Sequence, residues 1–196
     1  MKALPYVFFA ACAHLPAPDV PLRLALRDTS HAVVVIVKVR PPWYALRALI
    51  VKKFRDAVPE YLAAPGLERK QFSFAADGAF GGVYLWTKRV DAEAWFGSAW
   101  HERVRRQRGV DGDVRFIDVT SALDGPVAQS VFEGPMVVAL THDTLPRYRG
   151  ATGLRAAYAN DALVVSTWQN RASANAFLAH KDDVEWFDTP IGIVKP

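Results

Sequence analysis

The segment VYLWTKRVDAEAWF at residues 83–96 recurs in altered form as VSTWQNRASANAFL at residues 165–178. A single offset of 82 positions aligns a Val, a Trp, an Arg, two Ala and an aromatic residue of the two segments. Each segment is typical of a strand that ends in Trp and is followed by a polar turn and an amphipathic helix. Shared α/β patterning accounts for part of the match, but the fixed register favours an internal duplication.

The residues around the first segment predict a complete β-α-β-β-α-β unit over 32–123. Its predicted elements are strand 32–39, helix 46–63, strands 68–75 and 82–87, helix 91–108 and strand 114–119. Pro59 lies inside the first helical pattern and predicts a kink or an end there. Asp77-Gly78 is a hairpin signal between the two middle strands. This order of elements is that of the ferredoxin-like fold.

The second unit, 135–196, is predicted to be shorter, with room for only a stunted helix over 145–153. Residues 124–134 are predicted to link the two units, and residues 1–31 form an N-terminal extension outside both. A four-stranded ferredoxin-like sheet leaves one apolar face bare, and such a face must be buried. We therefore expect an α+β fold in which two antiparallel sheets pack face to face around a shared interior.

Composition excludes several classes of protein. The chain has 196 residues, of which 51% are hydrophobic and 22% charged, so it is globular rather than disordered. A net charge of +4 is too small for a dedicated nucleic-acid binder. The arginine-rich stretch 103–108 is interpreted as a solvated helix end, where cations suit the helix dipole, with a patch for anions or nucleic acid as the alternative. The lone Cys12 excludes an intramolecular disulfide and a cysteine-based metal cluster, and the five histidines have no metal-ligand spacing.

The first residues of the chain have some features of an export signal and lack others. The apolar run 3–13 follows Lys2 and resembles a short export signal, with Cys12 in a poor lipoprotein processing box. Pro5 interrupts the run, which is also shorter than the ~20 residues that a membrane-spanning helix needs. We expect a cytoplasmic protein, with export as the alternative and with no membrane partner.

Three stretches of the first unit resemble a known family: Gly81-Gly-Val-Tyr-Leu-Trp86, Asp91-Ala-Glu-Ala-Trp-Phe96 and Ser98-x-x-His101. They are similar to the dimeric α/β-barrel superfamily, and within it to antibiotic-biosynthesis-type and small bacterial monooxygenases. The resemblance covers 32–123 well and 135–196 loosely. It implies a pseudo-dimer built within one chain. The haem-degrading branch fits least, because its strand asparagine has no match in 32–39.

In cofactor-free members of that family an electron-rich substrate itself reduces oxygen. The resemblance therefore implies an enclosed aromatic pocket with a polar group that deprotonates a phenol or steadies an oxygenated intermediate. It implies catalytic roles for His101 and Trp95. The candidate substrate-binding residues are Tyr84, Trp86, Trp100 and Trp168.

Each of these residues has an ordinary structural interpretation as well. Tyr84 and Trp86 share one face of a strand, and Trp95 lies on the apolar stripe of a helix, so all three are suited to core packing. His101 points away from that stripe towards solvent, unless a break at Gly97-Ser98 turns it towards the pocket mouth.

The expected function is that of a cofactor-independent, monooxygenase-like protein acting on a small hydrophobic or aromatic molecule. No bound cofactor, metal ion or nucleic acid is expected. The alternative is a non-catalytic module of the same fold that binds a hydrophobic ligand or a protein, which a filled barrel interior would favour. The chain is expected to be either a monomer with an internal pseudo-dimer or a homodimer.

Overall fold

The computed structural model describes residues 25–29, 31–124 and 130–195, so the run 3–13 and Cys12 lie outside the described residues. The described strands are β1 (Ala25–Asp28), β2 (Val33–Val39), β3 (Leu67–Ala75), β4 (Phe80–Trp86), β5 (Asp113–Asp118), β6 (Ser121–Asp124), β7 (Ser130–His142), β8 (Leu154–Ala159), β9 (Leu163–Trp168) and β10 (Glu185–Val194). The helices are α1 (Arg47–Ala63), α2 (Arg89–Trp95), α3 (Ser98–Arg108) and α4 (Arg171–Leu178), with a 3₁₀ helix at Leu145–Tyr148. The α+β class is as expected.

The ten strands of the described residues form one curled antiparallel sheet in the order β1-β6-β8-β9-β7-β10-β3-β4-β2-β5. In the first half, the chain order of the strands is β2, β3, β4, β5. The order across the sheet is β3-β4-β2-β5, so the second, third, first and fourth strands are neighbours. The neighbours β8-β9-β7-β10 repeat that order in the second half. Each half therefore has the strand order of a ferredoxin-like sheet, with the 3₁₀ helix in place of a full first helix in the second half.

The expectation of two separate sheets is wrong, because β10 hydrogen-bonds to β3 and joins the halves. Their register aligns Val194 with Arg69 and Phe187 with Ala75. β10 starts at Glu185 and continues through Pro190 to Val194, and it pairs with β3 on one side and with β7 on the other.

The sheet is curled, and the connection that follows β5 contacts β8 of the second half. The chain passes from β5 to β6 through two residues, and the Thr120 amide donates to the Ala159 carbonyl at 2.8 Å. One face of the sheet thereby encloses a barrel interior, which both halves fill with apolar side chains. These include Val34, Leu85, Val138 and Val165.

Two predicted boundaries differ in the structure. Residues 130–134 of the predicted linker begin β7, and residues 25–28 of the predicted extension form β1 against β6.

The predicted helix 91–108 is two helices in the structure, because helical geometry is interrupted between Trp95 and Ser98. Gly97 occupies the cap position of α3, and no side chain caps that helix.

The outer face of the sheet carries two further apolar layers. The first-half layer lies between β2–β4 and the helices α1, α2 and α3. The second-half layer lies under α4 and the 3₁₀ helix. None of the described helices is long and apolar enough to cross a membrane.

Candidate functional site in the first-half layer

Four of the six predicted site residues lie together in the first-half layer. Tyr84 and Trp86 project from β4 on the helix side of the sheet and are almost fully buried. Their neighbours Val83 and Leu85 project to the barrel interior. Trp95 is half-buried at the end of α2 and packs on the same layer. The predicted residues therefore lie outside the barrel, between sheet and helices.

The rings of this layer are in continuous contact. Trp86 and Trp95 lie 5.7 Å apart between ring centroids, and Trp95 lies 5.7 Å from Tyr61 of α1. Phe96 follows α2 and connects Tyr84, at 5.1 Å, to the fourth predicted residue, Trp100, at 5.4 Å. Both contacts have the edge-to-face geometry that aromatic pairs prefer. The layer is thus an aromatic cluster that extends from α1 to α3.

His101 stands at the edge of this cluster. It is half-buried on α3, and its ring meets Trp100 edge-on at 5.0 Å. The helix break at Gly97 gives α3 a start of its own, so the position of His101 is not set by the periodicity of α2. The structure brings His101 next to Trp100, within reach of solvent.

Trp168 is the predicted residue that the structure does not bring to this cluster. It lies in the second-half layer, with Tyr148 and Phe177 around it. Its indole N–H donates to Ser166 Oγ at 2.9 Å, and Ser166 Oγ donates to the Ala139 carbonyl at 3.3 Å. The polar group of Trp168 is therefore satisfied within its own layer.

The first-half layer differs in this respect. The indole N–H groups of Trp86 and Trp95 are both buried, and neither has a hydrogen-bond acceptor among the described residues. Under the same offset of 82, Trp86 corresponds to Trp168, and Tyr84 corresponds to Ser166. The first half thus lacks the serine that satisfies the tryptophan of the second half. Leaving buried donors unsatisfied costs stability, so each one requires an explanation.

A lysine that is not among the predicted site residues lies in the same layer. Lys70 of β3 is only 2% exposed. Its Nζ lies 2.9 Å from the ring centroid of Tyr61, 3.8 Å from that of Phe72 and 4.6 Å from that of Tyr84. The sequence does indicate that Lys70 is buried, because Phe72 and Phe74 follow it at the two-residue spacing of one strand face. That alternation places Lys70 on an apolar, helix-facing side.

Burial controls the ionisation of this cluster. Desolvation lowers the pKa of Lys70 well below its ordinary value of 10.5, and the charge of Glu60 offsets this only in part. Desolvation also raises the pKa of Tyr84 well above its ordinary value of 10.0, helped by the nearby Tyr61 hydroxyl. At neutral pH Tyr84 is therefore a protonated phenol, and Lys70 is biased towards the neutral amine.

The second half has small side chains where the first half has this pair. Lys70 lies opposite Tyr84 in the β3–β4 ladder, and Ala157 lies opposite Ser166 in the β8–β9 ladder. Ala157 therefore corresponds in register to Lys70. The buried amine and the unpartnered indoles are features of the first half.

The free space that the described residues enclose inside the barrel is small. A cavity of about 10 Å³ lies between Val34, Leu85, Val165 and Tyr158. That volume is close to the least that holds one water molecule, and far below the 300–1,000 Å³ typical of a small-molecule site. Among the described residues, the shared interior expected from the sequence therefore shows no cavity of ligand size.

A larger cleft, of about 520 Å³, opens beside the start of α2. Its lining includes His31, Lys88, Val90 and Thr120. Arg89 closes one side and donates to Asp118 at 2.7 Å and to Glu93 at 2.7 Å. The cleft has the volume of a small-molecule site, and it borders the helix that carries Trp95.

The described residues contain no group of three or more His, Cys, Asp or Glu side chains that could hold a metal ion. The polar groups of the candidate site are those of Lys70, Tyr61, Tyr84 and the two indoles. Such a set suits the oxygen atoms of an organic ligand, because amine, phenol and indole groups all donate hydrogen bonds.

The chain matches no sequence-family profile and no curated protein sequence. Its structure is similar to the crystal structure of a protein from Fusobacterium nucleatum that is provisionally named a monooxygenase, with a TM-score of 0.56 at 8% identity. That similarity covers 85% of this chain and 94% of the other.

Two further structures overlap less well. One is an anthrone oxidase-like protein, with a TM-score of 0.43, 11% identity, and coverage of 84% of this chain and 94% of its own. The other is a protein of Lactobacillus acidophilus, also provisionally named a monooxygenase, with a TM-score of 0.45, 8% identity, and coverage of 85% and 100%. The curled antiparallel sheet with helices on its outer face, together with the Fusobacterium structure, shows that the chain has the dimeric α/β-barrel fold.

Proposed function

We propose that the protein is a cofactor-independent, monooxygenase-like enzyme whose small aromatic substrate binds in the first-half layer. The observation that carries this proposal is the pair of buried, unpartnered indole N–H groups of Trp86 and Trp95 within a cluster of rings. A phenolic or carbonyl oxygen accepts such hydrogen bonds, while its ring system packs against the aromatic side chains. The provisional name of the Fusobacterium neighbour makes oxygenation the first activity to test.

The chemistry balances without a cofactor for a substrate with an activated CH₂ group that tautomerises to a phenol. Such a substrate and O₂ give a carbonyl compound and water, because the carbon supplies all the electrons that O₂ requires. Trp86 and Trp95 hold the substrate oxygen, and Tyr84 and Trp100 position its rings. His101, at the solvent edge of the cluster, donates a proton to the oxygen atom that leaves as water.

Substrate entry requires a movement of α2. The first-half layer is filled in the described structure, and α2 is a short helix that ends at the break before Ser98. The cleft beside Lys88 and Val90 gives access to one side of α2. Separation of Trp95 from Trp86 would open a slot between two indole faces, so binding should change the tryptophan fluorescence.

The decisive experiment measures oxygen consumption and tryptophan quenching with an anthrone-type phenol. We expect saturable quenching and oxygen uptake in the unmodified protein. Trp95→Phe and His101→Ala should each reduce turnover at least tenfold, equivalent to ~1.4 kcal/mol. Trp43→Phe is the matched control, because Trp43 is 95% exposed and its ring contacts Tyr44 rather than the cluster. Unchanged turnover in both site variants would refute these assignments.

A non-catalytic binding module is the second candidate function, and the filled barrel interior and filled layer favour it. Saturable quenching without oxygen uptake, under all phenols tested, would support that alternative. We also propose that the two halves arose by duplication, since they share a strand order and one register of Trp, Arg and Ala.

A further inference from the structure

We propose that Lys70 accepts the hydroxyl proton of a phenol bound in the first-half layer, so that the site selects substrates with an acidic hydroxyl group and holds them as phenolates. This inference rests on the proposed function for the location of the substrate. It adds the group that ionises the substrate and the property by which substrates are selected. Neither follows from the fold.

The surroundings of Lys70 suit a proton acceptor rather than a structural cation. A structural buried lysine is ordinarily paired with a carboxylate. The contacts of Nζ among the described residues are instead the rings of Tyr61, Phe72 and Tyr84. Burial without a counter-ion favours the neutral amine, and lysines of this kind serve as bases.

The step is a single proton transfer. The phenolic O–H bond breaks, an N–H bond forms on Nζ, and the electron pair stays on the substrate oxygen. The product is an ammonium–phenolate pair with no net charge change in the layer. The three rings stabilise the new ammonium by cation–π contact, which is strongest where water is excluded. The indoles of Trp86 and Trp95 can donate to the phenolate oxygen.

Few charged or titratable groups face Lys70 in the described structure. From α1 come Glu60 and Tyr61, and from β4 comes Tyr84. Arg103 of α3 is 3.8 Å from Glu60 in a half-exposed ion pair. On the neighbouring strand β10, the residue aligned with Lys70 is the apolar Ile193. Glu60 favours the protonated amine, and Arg103 partly neutralises that effect.

The phenolate is also the form that reacts with oxygen. Loss of the proton raises the electron density of the ring, and an electron-rich substrate is what a cofactor-free oxygenation requires. Lys70 would therefore act before His101 in the sequence of steps. The two residues act on different protons, one taken from the substrate and one given to the reduced oxygen.

The test uses 4-nitrophenol, whose anion absorbs visible light, as a probe of ionisation in the full chain. With the unmodified protein, we expect the bound probe to ionise at a pH at least one unit below that of the free probe. In Lys70→Met the probe should still quench tryptophan fluorescence but ionise at or above the pH of the free probe. Lys53→Met is the control, because Lys53 is an exposed lysine of α1 and should leave the titration unchanged.

Proton counting separates a base from a fixed charge. When Lys70 takes the probe's proton, binding at a pH below the ionisation of the free probe releases no proton to the medium. In Lys70→Arg the side chain is already charged, so formation of the bound anion should release roughly one proton per probe. Circular dichroism checks that both variants fold, and the Lys70→Met titration decides the question if the arginine variant does not.

The outcomes distinguish this inference from the proposed function. Ionisation that depends on Lys70 without any oxygen uptake supports the inference and refutes the oxygenase. Oxygen uptake or probe ionisation that is unchanged in a folded Lys70→Met variant overturns the inference alone. Absence of any phenol binding overturns both.

Discussion

At the scale of single residues, Lys70 makes the folded protein sensitive to pH. Its pKa is lowered by burial in the folded state and is about 10.5 in the unfolded chain, so the unfolded state binds more protons between those two values. The free energy of unfolding should therefore rise with pH across that interval, by at most about 1.4 kcal/mol per unit. Lys70→Met lacks this dependence and should be more stable than the unmodified protein at neutral pH.

Urea unfolding of the two proteins between neutral pH and pH ~10 measures this effect. The advantage of Lys70→Met should be largest at the lowest pH and should shrink as the pH approaches 10.5. Lys53→Met, at an exposed position, should follow the unmodified protein throughout. Parallel curves for the unmodified protein and Lys70→Met would mean that Lys70 keeps its proton in the folded state.

The sequence predicted which aromatic residues share a face, but not what that face contacts. Tyr84 and Trp86 alternate with Val83 and Leu85, and both sets are apolar enough to be buried. Only the curl of the whole sheet decides which set faces the helices. Lys70 was missed because the stretch Glu-Arg-Lys-Gln at 68–71 reads as a polar strand start. That the indole N–H of Trp86 lacks an acceptor among the described residues follows only from the structure. In the second half, Ser166 accepts from the equivalent Trp168, and the first half has Tyr84 at the position of Ser166.

At the scale of elements, Gly81 is required for the close approach of β2 and β4. A Cβ atom on Gly81 would lie 2.1 Å from the Val37 carbonyl oxygen and 2.9 Å from its carbonyl carbon. Both are backbone atoms of the paired strand, so a side chain there must push the strands apart. Gly81→Ala should lower the free energy of unfolding by roughly 3 kcal/mol, which is the upper range for single substitutions.

Gly97→Ala is the matched control for this prediction. A Cβ on Gly97 would meet its nearest neighbours at 3.5 Å, which is ordinary van der Waals contact, and Gly97 has a negative φ of −74°. It should therefore unfold within about 0.5 kcal/mol of the unmodified protein. If Gly81→Ala proved equally mild, the β2–β4 ladder would have to be looser than described. The β2–β4 ladder is regular at Gly81 and Gly82, and the absence of a side chain at Gly81 is what allows this pairing.

At the scale of the whole molecule, one curled sheet combines both halves of the chain. The β10–β3 pairing joins the halves at one seam, and the two-residue passage from β5 to β6 joins them at the other. The interior cluster draws residues from both halves, so the apolar face of each half-sheet is already buried within one chain. A second chain is therefore not needed to bury the apolar faces of the two half-sheets.

We therefore expect a monomer, with a mass of 21.7 kDa by sedimentation equilibrium at all accessible concentrations. The described surface includes a group of exposed apolar side chains around the start of α1, among them Trp43, Leu46 and Leu49. If a mass near twice the monomer value were found, this segment is where the second copy should bind, and Leu46→Lys with Leu49→Lys should restore the monomer. A dimer that survives those substitutions would show that the barrel seams, rather than this segment, form the contact, and would contradict closure within one chain.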